Sequence, residues 1–345
     1  MALFHLLMRA CVRKAWESQT LALPNPSVAC MVLDQNYQLL SLQTHTKAHT
    51  PHAEVLALRE AFNALCATPF PKEIDPLDKE ANYAFLAQHH SHLFKDCTIL
   101  VTLEPCNHFG KTPPCAALLS ALKPKRVIIG AREQHPQAVG GRARLQEARI
   151  EVSVLDLPEC SDLLYPFTRL HTRGVFNLFK IATRLDGNYQ GKISGAKSLA
   201  FSHNQRGVAN TLIISGQSAR IDRPLLNHRF ADPLYQDRLC DVAILSRNPV
   251  IDRTLPLFGV PGRAVQLYTR VQDLPLQLGF NIIEGGWHLL ESLQDHIDML
   301  LTHTHASLEP HQPIPHHAHA YFTPLHAQIL DQDLLTWHSC GSTNP

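Results

Sequence analysis

The stretch TLEPCNHFGKTPPC, residues 102–115, decides how the first half of this chain is interpreted. The apolar run TILVTL at 98–103 leads into it and predicts a short, buried strand. Two cysteines follow the strand nine positions apart, Cys106 and Cys115, and the Pro-Pro pair before the second favours a helix that begins there. A strand end and a helix start therefore present two thiols from one short segment.

Upstream, the triplet HAE places His52 and Glu54 at the start of another predicted helix. A catalytic zinc site takes three imidazole or thiolate ligands and leaves the fourth position to water. We therefore predict that His52, Cys106 and Cys115 bind Zn²⁺, and that Glu54 carries protons between the activated water and the substrate. H-x-E followed by P-C is typical of zinc-dependent hydrolytic deaminases, although their usual spacing between the cysteines is three positions.

Composition indicates a globular protein of two domains. The chain has 345 residues, 31 basic and 30 acidic side chains, and 45% hydrophobic residues. No polybasic segment suggests nucleic-acid binding, and no stretch approaches the roughly 18–20 apolar residues of a membrane span. We therefore expect neither a nucleic-acid nor a membrane partner. Nine scattered cysteines argue against a disulfide framework, which favours a cytoplasmic protein.

Strands alternate with helices in the first half, which predicts an α/β layered domain over residues 1–155. The predicted helices are 4–18, 52–67, 115–122 and 143–149, and the predicted strands are 27–33, 37–42, 98–103, 126–130 and 150–155. Residues 156–174 are predicted as a linker helix. A second, β-rich domain follows at 175–345, with strands expected at 175–182, 211–215, 241–245, 264–268 and 280–284.

Residues 102–115 resemble the signature of the bifunctional riboflavin-biosynthesis deaminase/reductases, including the long loop between the two cysteines. NPSV at 25–28 is similar to the N-P-x-V segment of that family, and REQHPQAVGGR at 132–142 to its D-P-N-P-x-V-x-G-x-G segment. The resemblance implies a cytidine-deaminase-like, three-layer α/β/α domain. Two departures are Ala29, where the family often has glycine, and an apparent insertion at 68–95 with a helical middle.

The same resemblance implies a substrate, 2,5-diamino-6-ribosylamino-4(3H)-pyrimidinone 5′-phosphate, whose 2-amino group water would replace. By position, the residues implied to contact the pyrimidine are Asn25 and His108. The residues implied to meet the ribose phosphate are Lys111 and one of His45, Lys47 or His49. A cation beside a dianionic phosphate makes physical sense.

Three patches of the second half are similar to the reductase domain of that family. They are FKIATRLDG at 179–187, SGQSARIDRPLLNHR at 215–229 and IEGG at 283–286. The resemblance implies a dihydrofolate-reductase-like α/β domain that uses NADPH to reduce the ribosyl ring to a ribityl chain. The residues implied to bind the cofactor are Lys180, Asp222, Gly285 and Gly286, and those implied to bind the substrate are Leu226, Arg229 and Glu284.

The second half also departs from the family. AKSLA at 196–200 replaces S-K-W-I-T, so the tryptophan is missing, and the arginine-rich helix that should follow reads as shortened to HNQRGVAN at 203–210. The closing strands of the family are poorly matched. We therefore expect either an active reductase, which the motifs favour, or a degenerate domain that serves assembly only.

Three further expectations complete the interpretation. A nucleoside or tRNA-base deaminase is an alternative for the zinc motif, but such enzymes usually have the short cysteine loop. The family resemblance implies a homo-oligomer. The histidine-rich segment 302–326 reads as a polar loop rather than as a metal store, because it lacks cysteines and a fixed spacing.

Overall fold

Two separate β-sheets organise the chain, which falls into two compact units, Met1–Tyr165 and Pro166–Pro345. The computed structural model describes residues 2–90, 92–108, 114–134, 138–310 and 320–341. The division falls within the segment that the sequence predicts as a linker. None of the helices in these described ranges is both long and apolar enough to cross a bilayer.

The first unit is built on a five-stranded sheet in the order β2-β1-β3-β4-β5. Its strands are β1 (Ala29–Leu33), β2 (Leu39–Thr44), β3 (Thr98–Leu103), β4 (Arg126–Ala131) and β5 (Glu151–Val154). Its helices are α1 (Ala2–Trp16), α2 (Ala53–Leu65), α3 (Lys79–His89), α4 (Cys115–Leu122), α5 (Gly141–Glu147) and α6 (Pro158–Leu163). Strand β1 is antiparallel to β2 and β3, whereas β3, β4 and β5 run parallel.

Helices cover both faces of this sheet, which explains why β3 is an unbroken apolar run, buried at every position. On one face, α2 and α4 bury Leu58 and Leu118 against alternate strand residues such as Val101. On the other face, α1 and α6 approach so closely that a Cβ on Gly130 would lie 2.5 Å from Cys160 Sγ and 3.1 Å from Met8 Sδ. The layers are those of the predicted three-layer domain.

The second unit contains an eight-stranded sheet in the order β12-β13-β11-β6-β10-β7-β8-β9. The strands are β6 (Val175–Arg184), β7 (Thr211–Ser215), β8 (Asp241–Leu245), β9 (Val265–Tyr268), β10 (Gly279–Glu284), β11 (Met299–His305), β12 (Phe322–Leu330) and β13 (Asp333–Cys340). The helices are α7 (Tyr165–Arg173), which begins at the division, α8 (Ala196–Arg206), α9 (Gly216–Asp222) and α10 (Trp287–Leu293). The six strands from β11 to β9 are parallel, whereas β13 is antiparallel to both of its neighbours, β11 and β12.

Two sequence expectations are corrected here. The linker is not one helix but two, α6 and α7, because Pro166 has no N–H with which to continue α6 but fits the first turn of a new helix. The helix thought to be shortened to 203–210 instead spans Ala196–Arg206. It ends at Gly207, where a Cβ would lie 2.1 Å from the carbonyl oxygen of Tyr235.

Candidate functional site

Three local structures bring the predicted zinc ligands together. His52 is the N-cap of α2, Cys115 is the first residue of α4, and Cys106 follows the end of β3. The N-terminal ends of both helices therefore point at one spot, where their dipoles favour thiolate and other negative charge.

The distances fit a tetrahedral metal ion. His52 Nδ1 lies 3.4 Å from Cys115 Sγ and 3.7 Å from Cys106 Sγ, and the three ligand atoms all lie within 4.8 Å of one another. Tetrahedral zinc with ordinary bond lengths needs nitrogen–sulfur separations of roughly 3.6 Å. Within the described part of the chain, this is the one group of three or more histidine, cysteine or acidic side chains with such spacing. One imidazole and two thiols suit Zn²⁺.

The two thiols interact directly and shift each other's pKa in opposite directions. Hydrogen bonds from the Cys115 thiol and from His52 hold the pKa of Cys106 well below its usual value. The Cys106 thiolate in turn raises the pKa of Cys115, together with burial. The backbone N–H of Cys115 also donates to Cys106 Sγ at 3.4 Å. Binding of a divalent cation would release the remaining thiol proton, as metal–thiolate sites require.

Glu54 lies beside this cluster and is only 4% exposed. Burial raises its pKa, whereas the positive charge of His52 opposes the rise, and Cys115 is a hydrogen-bond partner of the carboxylate. A carboxylate held next to the proposed ligands by the first turn of α2, with a raised pKa, can accept a proton from water and return it.

The loop that carries Cys106 is fixed by Glu104, a residue to which the sequence motifs assigned no role. Glu104 Oε1 accepts from the backbone N–H of Arg142 at 2.8 Å, and Oε2 accepts from that of Glu133 at 3.4 Å. Gly141 permits the close approach, because a Cβ there would lie 1.9 Å from the Pro105 carbonyl oxygen. The sequence signals for this role of Glu104 were its place in the E-P-C triplet and the glycines of the 132–142 segment.

Two of the residues assigned to substrate binding contact each other. Asn25 Nδ2 lies 3.0 Å from His45 Nε2, and His45 Nδ1 lies 3.0 Å from the Pro51 carbonyl oxygen. Burial, with the nearby His52, lowers the pKa of His45 to about 3, so this ring is neutral. A neutral tautomer that donates to Pro51 would accept from Asn25. This favours a role for His45 in orienting Asn25, rather than in meeting a phosphate.

The other assigned residues of this half lie at the surface or outside the described residues. His108 and His49 are exposed, and Lys47 is partly exposed. Lys111 falls outside the described residues, so its predicted phosphate contact stays a prediction.

In the second unit, Lys180 and Glu284 are neighbours across β6 and β10. Arg206, at the end of α8, donates from Nη2 to both carboxylate oxygens of Glu284 at 2.9 and 3.2 Å. Burial would raise the pKa of Glu284, but the charges of Arg206 and Lys180 hold it below its usual value. Burial lowers the pKa of Lys180. The sequence motifs did not point to Arg206. It is the one arginine of α8, a helix that is arginine-rich in the family, and this was the available signal.

The segment that contains Leu226 and Arg229 runs along the end of α8. Asn227 accepts through its carbonyl oxygen from Arg206 Nη1 at 3.0 Å, and the His203 ring lies 5.1 Å from that of Phe230. Leu226 is buried, and Arg229 is exposed with its guanidinium over the Phe230 ring. Of the residues implied for the reductase substrate, Glu284 binds Arg206 directly, whereas Leu226 and Arg229 flank Asn227, whose carbonyl oxygen binds it.

The residues implied for the cofactor are less closely gathered. Gly285 and Gly286 connect β10 to α10, and Asp222 is exposed at the end of α9. A Cβ on Gly286 would lie 2.1 Å from Cε2 of Tyr189, so the tyrosine ring covers this side of the turn. Lys180 and Arg206 offer positive charge for a phosphate-bearing cofactor. A pyrophosphate would have to reach the Gly286 amide from the uncovered side or displace the ring.

Comparison with known proteins finds relatives of the first half alone and of the whole chain. The family described as the cytidine and deoxycytidylate deaminase zinc-binding region matches residues 2–131. The riboflavin biosynthesis protein RibD of Synechocystis sp. is 29% identical over 231 residues, which cover 64% of this chain and 55% of that protein. RibD of Chlamydia trachomatis is 27% identical over 304 residues, which cover 85% of this chain and 72% of that protein.

Among solved structures, the diaminohydroxyphosphoribosylaminopyrimidine deaminase/5-amino-6-(5-phosphoribosylamino)uracil reductase from Thermotoga maritima superposes with a TM-score of 0.63 at 20% identity. The match covers 99% of both chains, so it shows the fold over both units. The predicted fold class, a deaminase-like α/β/α domain followed by a reductase-like α/β domain, is confirmed. The predicted zinc-binding region in the first half is confirmed at the level of the family.

Proposed function

We propose that this chain, a relative of the bifunctional riboflavin-biosynthesis deaminase/reductases, deaminates a diaminopyrimidine ribotide in its first unit and reduces the ribosyl ring in its second. The observation that carries the proposal is the cluster of His52, Cys106 and Cys115 with Glu54 beside it. The long loop between the cysteines supports a ribotide over a nucleoside or tRNA base as the substrate.

The residues of the first unit divide the work of a hydrolytic deamination. When bound, zinc would supply an activated water molecule. Glu54 would take one proton from that water, deliver it to the pyrimidine ring nitrogen, and later pass a proton to the departing amino group. Asn25, held by neutral His45, would orient the pyrimidine, and His108 would approach it from the loop.

In the second unit, Glu284 would accept from a hydroxyl of the ribosyl chain, because Arg206 keeps it ionised. Lys180, Asp222, Gly285 and Gly286 would hold NADPH, which would supply the hydride. Leu226 and Arg229 would contact the substrate, with Arg229 pairing with its phosphate. The positive charges around Glu284 support an anionic ligand here.

A second candidate is a deaminase whose second unit does not reduce. The Tyr189 ring over Gly286 and the missing tryptophan at 196–200 favour this alternative. We also propose a cytoplasmic homo-oligomer. All nine cysteines lie in described residues and none forms a disulfide, which supports a reducing compartment.

A single coupled assay tests these proposals. Purified protein receives the diaminopyrimidine ribotide and NADPH, and ammonia release is followed together with the loss of NADPH absorbance. We expect both signals. Ammonia without NADPH oxidation would favour the deaminase-only alternative, and ammonia from cytidine but not from the ribotide would overturn the substrate.

A further inference from the structure

The described residues of the segment 68–95, which interrupts the family pattern, are folded onto the core of the first unit. Phe70, Leu86 and Phe94 are at most 4% exposed and belong to the same hydrophobic cluster as residues of α2 and α4. The rings of Phe70 and Phe85 lie 4.3 Å apart. This insertion therefore packs on the two helices at whose starts two of the proposed zinc ligands stand.

Arg59 of α2 is the first of two polar contacts that fix the insertion. Its guanidinium donates to the Asn82 side-chain oxygen and, at 3.0 Å, to the Ile74 carbonyl oxygen. It also lies 4.3 Å from the centroid of the Phe70 ring. Asn82 is fully buried and donates in turn to the Asp75 carbonyl oxygen at 2.7 Å. Arg59 thus attaches α3, and the loop before it, to α2.

Tyr83 of α3 makes the second polar contact, on the other helix. Its hydroxyl donates to the carbonyl oxygen of Pro114, the N-cap of α4, at 3.4 Å. The same carbonyl oxygen accepts from the backbone N–H of Ala117 at 2.9 Å and so takes part in the first turn of α4. Because Pro114 directly precedes Cys115, Tyr83 contacts the backbone next to a proposed metal ligand.

The two contacts start from adjacent positions of α3. Successive residues of an α-helix point about 100° apart, so Asn82 and Tyr83 can reach two different neighbours from one turn. Asn82 meets α2 through Arg59, and Tyr83 meets the start of α4. A single turn of the insertion therefore connects the two helices at whose starts His52 and Cys115 stand.

The other cysteine of the cluster is held by different contacts. Ahead of Cys106, the Glu104 carboxylate accepts from the backbone N–H of Arg142 at 2.8 Å. After it, the side-chain oxygen of Asn107 accepts from Arg144 at 3.2 Å. The polar contact of the insertion with this region is instead made at α4, so its effect should fall on the ligand that α4 carries.

We propose that α3 of the insertion is a brace that fixes α2 and α4 relative to each other, and that Tyr83 is a positioning residue for Cys115. This inference rests on the proposed zinc-dependent deamination and adds a residue on which retention of the metal depends. Tyr83 acts through Pro114, so loss of its hydroxyl should alter the coordination and the dissociation of the metal.

The test uses Tyr83→Phe in the full chain, because this substitution removes the hydroxyl and leaves the ring. The rate of zinc loss from loaded protein to an excess of chelator is measured, with the visible absorption of the Co²⁺-substituted protein as a report of coordination geometry. We expect zinc loss to be roughly three- to tenfold faster, as for one lost hydrogen bond, and the Co²⁺ bands to shift. Tyr321→Phe, at a tyrosine that is 64% exposed, should behave as wild type.

A double-mutant cycle tests whether the two contacts act as one brace. Arg59→Lys keeps the charge but loses the planar fork that reaches two acceptors, so it should also speed zinc loss. If both contacts act through α3, adding Tyr83→Phe to Arg59→Lys should increase the rate by much less than threefold. Fully additive effects would show independent contacts and overturn the brace.

Other outcomes separate this inference from the proposed function. Unchanged zinc loss and an unchanged Co²⁺ spectrum in Tyr83→Phe would remove Tyr83 from the positioning of Cys115. A lower melting temperature with unchanged zinc loss would show a purely structural contact and overturn the inference as well. A wild-type protein that binds zinc but releases no ammonia from the ribotide would defeat the proposed function alone, since the metal measurements do not require turnover. A wild-type protein that binds no zinc would defeat both.

Discussion

The two candidate sites are built on opposite plans. The site of the first unit takes its ligands from two motifs, and helix starts at His52 and Cys115 set their geometry. The site of the second unit is assembled by sheet register and tertiary contact, which place Lys180 of β6, Glu284 of β10 and Arg206 of α8 together. A metal site requires particular residue types at short spacings in the sequence. A cluster of ion pairs requires only that opposite charges meet in the folded structure.

Their charges differ as well. In the first site, Glu54 is buried beside the cluster, and burial raises its pKa. In the second site, two cations face one carboxylate, while burial, with the charge of Arg206, lowers the pKa of His203 to about 3 and keeps that ring neutral. The positive charges of Arg206 and Lys180 around Glu284 favour an anionic ligand at the second site.

The largest expected effect separates proton transfer from metal binding in the first unit. Glu54→Gln should lower kcat for ammonia release by about 10²- to 10⁴-fold, because the proton carrier is lost, while stoichiometric zinc remains. Cys106→Ser should lose the metal itself. Ammonia assays with metal quantification check both, and full activity of Glu54→Gln would defeat the mechanism.

The next effect tests whether the ion cluster holds the second unit together. Arg206→Leu leaves Glu284 buried and poorly compensated, so the free energy of unfolding should fall by about 3–5 kcal/mol. Urea denaturation followed through Trp287 and Trp337 measures it. Arg206→Leu with Glu284→Gln should recover part of the loss, and exposed Arg229→Leu should change stability by no more than about 0.5 kcal/mol.

A third effect concerns acid stability of the second unit. Burial, with Arg206, lowers the pKa of His203 to about 3, and burial lowers the pKa of His303, which is fully buried. Below pH 6.5 the unfolded chain binds protons that the folded rings reject. The contribution of these two histidines to the free energy of unfolding is therefore fully present above about pH 6.5. It falls as the pH is lowered toward 3, by about 1.4 kcal/mol per pH unit for each histidine.

Denaturation midpoints across that pH range measure the acid effect. His303→Leu should make the pH dependence shallower by about one proton, whereas His288→Gln, at a side chain that is 57% exposed, should leave it unchanged. An identical slope in His303→Leu would contradict the account.

The smallest effect probes the turn between β10 and α10. Gly286→Ala places a methyl group against the Tyr189 ring and should destabilise the second unit by about 1–3 kcal/mol. Gly259→Ala is the matched control, because a Cβ there meets nothing within 4 Å. Differential scanning calorimetry compares the two, and equal transition temperatures would show that Tyr189 moves aside freely.

Local patterns predicted much of the fold and the gathering of His52, Cys106 and Cys115. Strand 98–103 and helix 115–122 have the predicted bounds, because a six-residue apolar run and a Pro-Pro start are complete local signals. Strands β11, β12 and β13 were not predicted, and the segment 302–326, interpreted as a polar loop, instead contributes its two ends to β11 and β12. In β12, Pro324 weakens the strand pattern and lies at a shift in the register with β13. Arg206 and Tyr189 were missed because their importance arises from contacts with Glu284 and Gly286, distant in sequence.

The two proposed metal ligands His52 and Cys115 are 63 residues apart, and the insertion lies between them. An ion that joins them closes a loop whose entropy, treated as a cross-link, corresponds to about 4 kcal/mol. The insertion is thus enclosed by the metal linkage. Removal of the metal would therefore restore this loop entropy to the unfolded chain and lower the free energy of unfolding of the first unit.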